Sequence, residues 1–264
     1  MPDAGFVLAR VLALVTLLLC ALPAAADATP RHGWRAGFET GDLSEWSFSG
    51  QGQKSVWGHL AVLDPLLSGV PRLDGRRAAR FETTPLDVAT GRIHAKVFRW
   101  WDRPRGGSWN VSGRYCASYF FPRTYHARSQ SADMVFEFKQ EWVDRAGFHQ
   151  DPTWWVEIDT AREWGLAASR PDAPVAVLYH LNPGGPSTPR LVPLGRWVRM
   201  CARVRQGRSI ALDMDGTRLG VGTQQQYAVG PSRRDRRWIF GVGNYSRSAN
   251  GPLWIDDAFF SPRP

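Results

Sequence analysis

Short runs of β-branched and aromatic residues follow one another along this chain, separated by clusters of Gly, Pro and Asp. Few windows repeat apolar residues at the helical period. The runs are Val56–Leu63, Ala78–Phe81, His94–Phe98, Arg114–Phe121, Met134–Phe138, Trp154–Ile158, Val175–Leu178, Trp197–Val204, Ile210–Met214, Trp238–Val242 and Leu253–Phe260. So many strands with so little helix leave an all-β sandwich of two antiparallel sheets, or jelly roll, and argue against a mixed α/β layering. Asp215-Gly216, between I-A-L-D-M and T-R-L-G-V, is a two-residue hairpin turn. Gly184–Pro189 reads as a loop and Arg103–Ser108 as a basic one.

Residues 1–26 read as a secretory signal and not as part of the fold. Arg10 supplies a positive start, Val11 to Leu22 an apolar stretch, and Ala24-Ala25-Ala26 a small-residue cleavage site. No later segment approaches the roughly 18–20 apolar residues a membrane span needs. The expectation is cleavage near Ala26, export to the periplasm or outside the cell, and a single β domain over residues 27–264. A chain of that length is ample for a sizeable core.

Cys116 and Cys201 both lie within strand-like runs, and in an oxidising compartment an isolated pair favours one disulfide. No Cys/His spacing suits zinc, and nothing points to an organic cofactor. The formal net charge is +9 and almost all arginine, since Lys54, Lys96 and Lys139 are the only lysines. On an exported protein that surface suits polyanions such as uronic-acid polysaccharides. A composition biased toward Arg and Ala gives the same charge without purpose. Export and the lack of a reading motif argue against nucleic acid. A monomer is expected.

The run Trp238 to Arg247, W-I-F-G-V-G-N-Y-S-R, carries the densest chemistry. Trp238, Phe240 and Val242 alternate with Ile239, Gly241 and Gly243, so one face is bulky and the other nearly bare. Bare glycines let a ligand or another backbone approach the sheet. At period two, Tyr245 and Arg247 share the glycine face, and a phenol and a guanidinium there suit an acidic sugar.

Phe38–Trp46 (F-E-T-G-D-L-S-E-W) and Trp254–Ser261 (W-I-D-D-A-F-F-S) bracket the domain. The pair resembles the opening and closing signatures of secreted carbohydrate-binding jelly rolls. That resemblance implies a structural Ca²⁺ with Glu39, Gly41 and Asp257 as ligands and Asp256 as a substitute. The ion would take hard oxygens from carboxylates and backbone.

Ile239 to Arg247 also resembles the Tyr-Phe-Lys-Ala-Gly-x-Tyr-x-Gln strand of alginate-lyase-like jelly-roll polysaccharide lyases, which puts Tyr245 at the family's catalytic tyrosine. Arg80-Phe81-Glu82 is similar to the family's Arg-x-Glu strand. Glu137-Phe138-Lys139 stands where its Gln-x-His strand is expected, with Glu for Gln and Lys for His. The resemblance implies a concanavalin-A-like jelly roll that cleaves glucuronan-, alginate- or heparin-like polymers by β-elimination. In that chemistry cations neutralise the uronate carboxylate, a base removes the C5 proton and an acid protonates O4. It implies catalytic roles for Tyr245, Lys139 and Arg80. Glu82 would orient Arg80, and Glu137, Asn244 and Arg247 would contact substrate. Loss of Gln and His leaves open a non-catalytic carbohydrate-binding module, or a structural envelope protein.

Glu157-Ile158-Asp159 resembles the Glu-x-Asp-x-Glu strand of laminarinase-type hydrolases, but Ala161 holds the second Glu position. Retaining hydrolysis needs that second carboxyl. The thirteen tryptophans include Trp100-Trp101 and Trp154-Trp155. Neighbours in a strand face opposite sides, so one of each pair can reach a sugar while the other packs the core.

Overall fold

A computed structural model describes residues 33–49, 59–103, 110–128, 133–168, 170–180 and 187–262. The expected signal segment lies outside these, as do residues 56–58 of the first run, 104–108 of the basic loop and 184–186 of the second loop. In chain order the strands are β1 (Trp34–Ala36), β2 (Phe48–Ser49), β3 (His59–Leu63), β4 (Ala78–Glu82), β5 (His94–Asp102), β6 (Gly113–Phe120), β7 (Asp133–Asp144) and β8 (Gly147–Thr160). There follow β9 (Pro174–His180), β10 (Arg190–Leu191), β11 (Trp197–Arg205), β12 (Ser209–Met214), β13 (Thr217–Thr223), β14 (Asp235–Tyr245) and β15 (Leu253–Pro262).

They form two antiparallel sheets. Sheet A runs β13-β12-β11-β6-β15-β4-β3, with β1 also paired to β15, and sheet B runs β10-β9-β8-β7-β14-β5-β2. The chain is therefore the two-sheet jelly roll that its alternation demanded. Asp215 and Gly216 both take positive φ, 48° and 75°, as a tight β12–β13 hairpin turn requires. Thr84 caps a short helix, α1 (Pro85–Ala89), in a reciprocal capping box with Asp87, and this turns the chain from β4 toward β5. Among the described residues no helix is long and apolar enough to cross a membrane.

The inner faces of the two sheets bury one aromatic core. Phe138 of β7 stacks on Trp238 of β14 at 5.2 Å, and Tyr115 of β6 meets Phe240 at 5.5 Å and Phe260 at 4.5 Å. Alternation then fixes what faces outward. On sheet A, Ala79 and Phe81 enter the core while Ala78, Arg80 and Glu82 face out. Cys116 and Cys201 are directly opposed on β6 and β11 and form the disulfide across two adjacent strands. The 85-residue separation makes this cross-link worth about 4–5 kcal/mol on the chain-entropy account.

Candidate functional site

The outer face of sheet B gathers the ionisable groups around β14. That strand lies between β5 and β7, with Tyr245 opposite His94 on one side and Met134 on the other. Gly243 lies opposite Lys96, and Gly241 lies between Phe98 and Glu137. The glycines are needed, but not as an open floor. A Cβ on Gly241 would come within 2.7 Å of the Phe98 ring and 2.9 Å of Glu137 Cγ. A Cβ on Gly243, at φ +143°, would lie 2.3 Å from the Ala95 carbonyl oxygen and 2.9 Å from Lys96 Cγ. Side chains from both neighbouring strands thus lie over β14 and meet above it.

They meet as a linked cluster. Lys96 Nζ donates to Glu137 Oε1 at 2.7 Å, and Lys139 Nζ stands 3.5 Å from Glu137 Oε2. Lys96 Nζ also sits 4.9 Å from the centre of the Tyr245 ring, and Lys139 Nζ 4.7 Å from that of Phe98. The His94 imidazole meets the Tyr245 ring edge-on at 4.4 Å between centroids. Lys96 and Glu137 are buried, whereas His94, Lys139 and Tyr245 are half-buried and reach the surface.

Burial sets the charges. It draws Lys96 down to about 8, with Lys139 adding to the fall and Glu137 opposing it. For Glu137 burial favours the neutral acid, but Lys139, Lys96 and the hydrogen bond from Lys96 outweigh it and the carboxyl falls below its usual range. Burial, Lys96 and Lys139 together lower His94 to about 4, so its imidazole is neutral near pH 7. The cluster holds two ammonium groups against one carboxylate, beside a neutral imidazole and a phenol.

The expected site residues separate. Tyr245, Lys139 and Glu137 come together. Arg80 and Glu82 do not join them: they face out from sheet A and pair with each other at 2.7 Å. β4 hydrogen-bonds to β15 and β3, so its Arg-x-Glu order in the sequence places it on the opposite sheet. The pair facing the tyrosine from its other neighbour is instead His94-x-Lys96, which no motif in the sequence announces. Asn244 turns into the fold between Val242 and Tyr245, fully buried, with neither side-chain amide atom hydrogen-bonded. It cannot hold a substrate carboxylate from there. Arg247 lies past the end of β14 and is exposed.

The calcium ligand set does not fit as arranged. The Glu39 carboxylate accepts the backbone N–H groups of Arg76 and Arg77 at 2.8–3.1 Å. The Arg77 guanidinium packs against Gly41, where a Cβ would meet it at 3.2 Å. Both carboxylate oxygens of Asp257 are taken, Oδ1 by Arg35 Nε at 2.8 Å and Oδ2 by Arg199. Burial raises the substitute, Asp256, to about 7, which favours a neutral carboxyl. Among the described residues no three His, Cys, Asp or Glu side chains are grouped to hold a metal.

Further along the same outer face, β8 and β9 carry a second group. Trp155 and Tyr179 lie on paired strands with rings nearly parallel, 6.0 Å apart at 11°. Trp155 Nε1 donates to Glu157 Oε2 at 3.0 Å, while Tyr179 Oη and Trp164 Nε1 donate to Asp159 Oδ2 at 2.9 and 2.8 Å. Burial raises Glu157 to about 7, with the neighbouring Asp159 adding to the rise, and burial also raises Asp159. Ala161 is buried with Val175 and Val177, so no third carboxylate follows on this strand face.

No protein-family model matches the sequence, and no curated protein does. Solved structures share the fold. An endo-β-1,4-glucuronan lyase from the fungus Trichoderma reesei is similar at a TM-score of 0.52 and 14% identity, over 86% of this chain and 94% of that one. The globular domain of T. cruzi calreticulin is similar at 0.50 and 9% identity, over 88% of each chain. Two antiparallel sheets in this topology define a concanavalin-A-type jelly roll. Its outer sheet B face brings a tyrosine, an imidazole and two lysines together on neighbouring strands.

Proposed function

We propose that the protein is an exported polysaccharide lyase that cleaves a uronate-containing polymer by β-elimination on the outer face of sheet B. The observation that carries this reading is the contact of Tyr245 with neutral His94 on one strand and cationic Lys96 on the same one. Elimination breaks the C5–H and C4–O4 bonds, forms the C4=C5 double bond and moves one proton to a base and another to O4. A neutral imidazole accepts and a phenol donates, so His94 takes the C5 proton and Tyr245 protonates the departing O4. Lys139, the more accessible ammonium, and Lys96 beneath it supply the positive field that makes C5 acidic. The likeness in fold to a glucuronan lyase supports the reading only in that such an architecture can house this reaction. The cross-strand disulfide suits the oxidising compartment that export would provide.

One observation favours a binding module instead: Glu137 draws on both lysines and offsets part of the charge a uronate needs. The two readings part on one assay. Uronate polymers incubated with the lyase gain the ultraviolet absorbance of unsaturated ends, and Tyr245→Phe lowers that rate by about 10²–10⁴. His94→Gln lowers it comparably. Undiminished activity in Tyr245→Phe removes Tyr245 from the chemistry. Binding without any absorbance change in the wild type selects the module.

A further inference from the structure

The outer face of sheet B is not uniform from one edge to the other. His94, Tyr245, Met134 and Glu157 form one cross-strand row, from β5 through β14 and β7 to β8. Glu137, Trp155 and Tyr179 form the next, from β7 through β8 to β9. Neighbouring strands are ~4.8 Å apart, so Glu157 stands about 10 Å across the sheet from Tyr245, a distance adjoining sugar rings span. One end of this path carries Lys96 and Lys139. The other offers the paired rings of Trp155 and Tyr179, both half-buried, with Glu157 and Asp159 fixed beside them by ring N–H and O–H donors.

Aromatic faces stack on sugar rings whatever their charge, so the carboxylates decide what can lie there. Sugar hydroxyls can donate to the half-buried Glu157, while Asp159 is buried and acts through its charge. A uronate would bring a third acidic group against Glu157 and Asp159, whose closeness adds to burial in raising Glu157, so its carboxylate would meet either a like charge or a penalty on its own ionisation. We propose that this face selects a heteropolysaccharide, binding a uronate at the Tyr245 end joined to an uncharged sugar on Trp155 and Tyr179, and rejecting runs of consecutive uronates. The inference rests on the lyase reading only in placing the uronate beside Tyr245.

Four probes test it: hyaluronan and deacylated gellan, in which uronates adjoin uncharged sugars, against glucuronan and polymannuronate, in which they do not. The wild type should bind at least one heteropolymer ten-fold or more tightly than either homopolymer. Glu157→Gln and Asp159→Asn should raise homopolymer affinity several-fold and leave the heteropolymers unchanged, in variants whose circular dichroism matches the wild type. Trp155→Ala should weaken the heteropolymers most. Homopolymers bound as tightly as heteropolymers by the wild type overturn the proposal, as does a preference that neither carboxylate variant alters. A carboxylate-dependent preference without unsaturated product from any probe leaves the proposal standing and removes the lyase reading. Failure to bind all four removes both.

Discussion

Lys96 and Glu137 form a buried ion pair, Nζ to Oε1 at 2.7 Å, on the two strands that flank β14, and they reach over its glycines, since a Cβ on Gly243 would meet Lys96 and one on Gly241 would meet Glu137. The pair ties β5 to β7 over a strand too bare to do so itself. It also holds an ammonium 4.9 Å from the Tyr245 ring. A glycine-floored strand thereby becomes the centre of a charged cluster.

Breaking a buried pair on one side leaves the other charge without compensation, which costs about 3–5 kcal/mol. Lys96→Met and Glu137→Gln should each lower stability by that order in urea unfolding. The double variant should lose less than the sum of the two, because neither charge is then left alone. Single variants within about 1 kcal/mol of the wild type would mean that water reaches the pair and that it does not organise the site.

The terminal bracket makes a different prediction. Asp257 sits in the left-handed region at φ 47°, at an irregularity of β15, with guanidinium groups on both carboxylate oxygens. Arg35 also reaches Asp74 at 2.8 Å, so arginines join the same segments that a cation would bridge. A chelator should leave the wild-type thermal midpoint where it was. Arg35→Ala combined with Arg199→Ala should cost about 2 kcal/mol, the order of charged hydrogen bonds left unmade. A midpoint that falls with chelator and returns with calcium would show that the guanidinium groups yield to a metal.

Much of this was legible in the residues. Alternation located the strands, Asp215-Gly216 marked a hairpin, and W-I-F-G-V-G-N-Y marked the strand around which the charged cluster gathers. What alternation reports is the face of a strand, not the sheet to which it belongs. Arg80-x-Glu82 therefore matched a motif by order and type while β4 joined sheet A. His94-x-Lys96 escaped notice for the converse reason. Lysine in a strand reads as a solvated residue until its partners across β14 and β7 are known. Alternation alone already turns Asn244 away from the tyrosine's face, since it directly precedes Tyr245 and neighbours in a strand point to opposite sides. The arginines around Asp257 come from positions 35 and 199, a long-range pairing that no local pattern announces.

Stability between pH 6.5 and 7.5 should fall, for reasons that lie in buried acids. Burial raises Glu157 from 4.5 to about 7 and Asp256 from 3.8 to about 7. Between those values the folded chain keeps a proton that the unfolded chain has released. Each acid's contribution is thus fully present below its unfolded value and is lost as pH rises through about 7. His94 acts in the opposite sense, lowered from 6.5 to about 4, so that its effect is confined to more acid solution. Lys96, lowered from 10.5 to about 8, makes stability rise with pH only above that value. The window between 6.5 and 7.5 belongs mainly to the two carboxyls. The thermal midpoint should drop across it, and Glu157→Gln and Asp256→Asn should each remove part of the slope, with the double variant nearly level. His94→Gln should leave this slope intact and lessen the loss of stability between pH 6.5 and 4. A wild-type midpoint that stays level or climbs from pH 6.5 to 7.5 would mean that both carboxyls are already ionised in the folded protein.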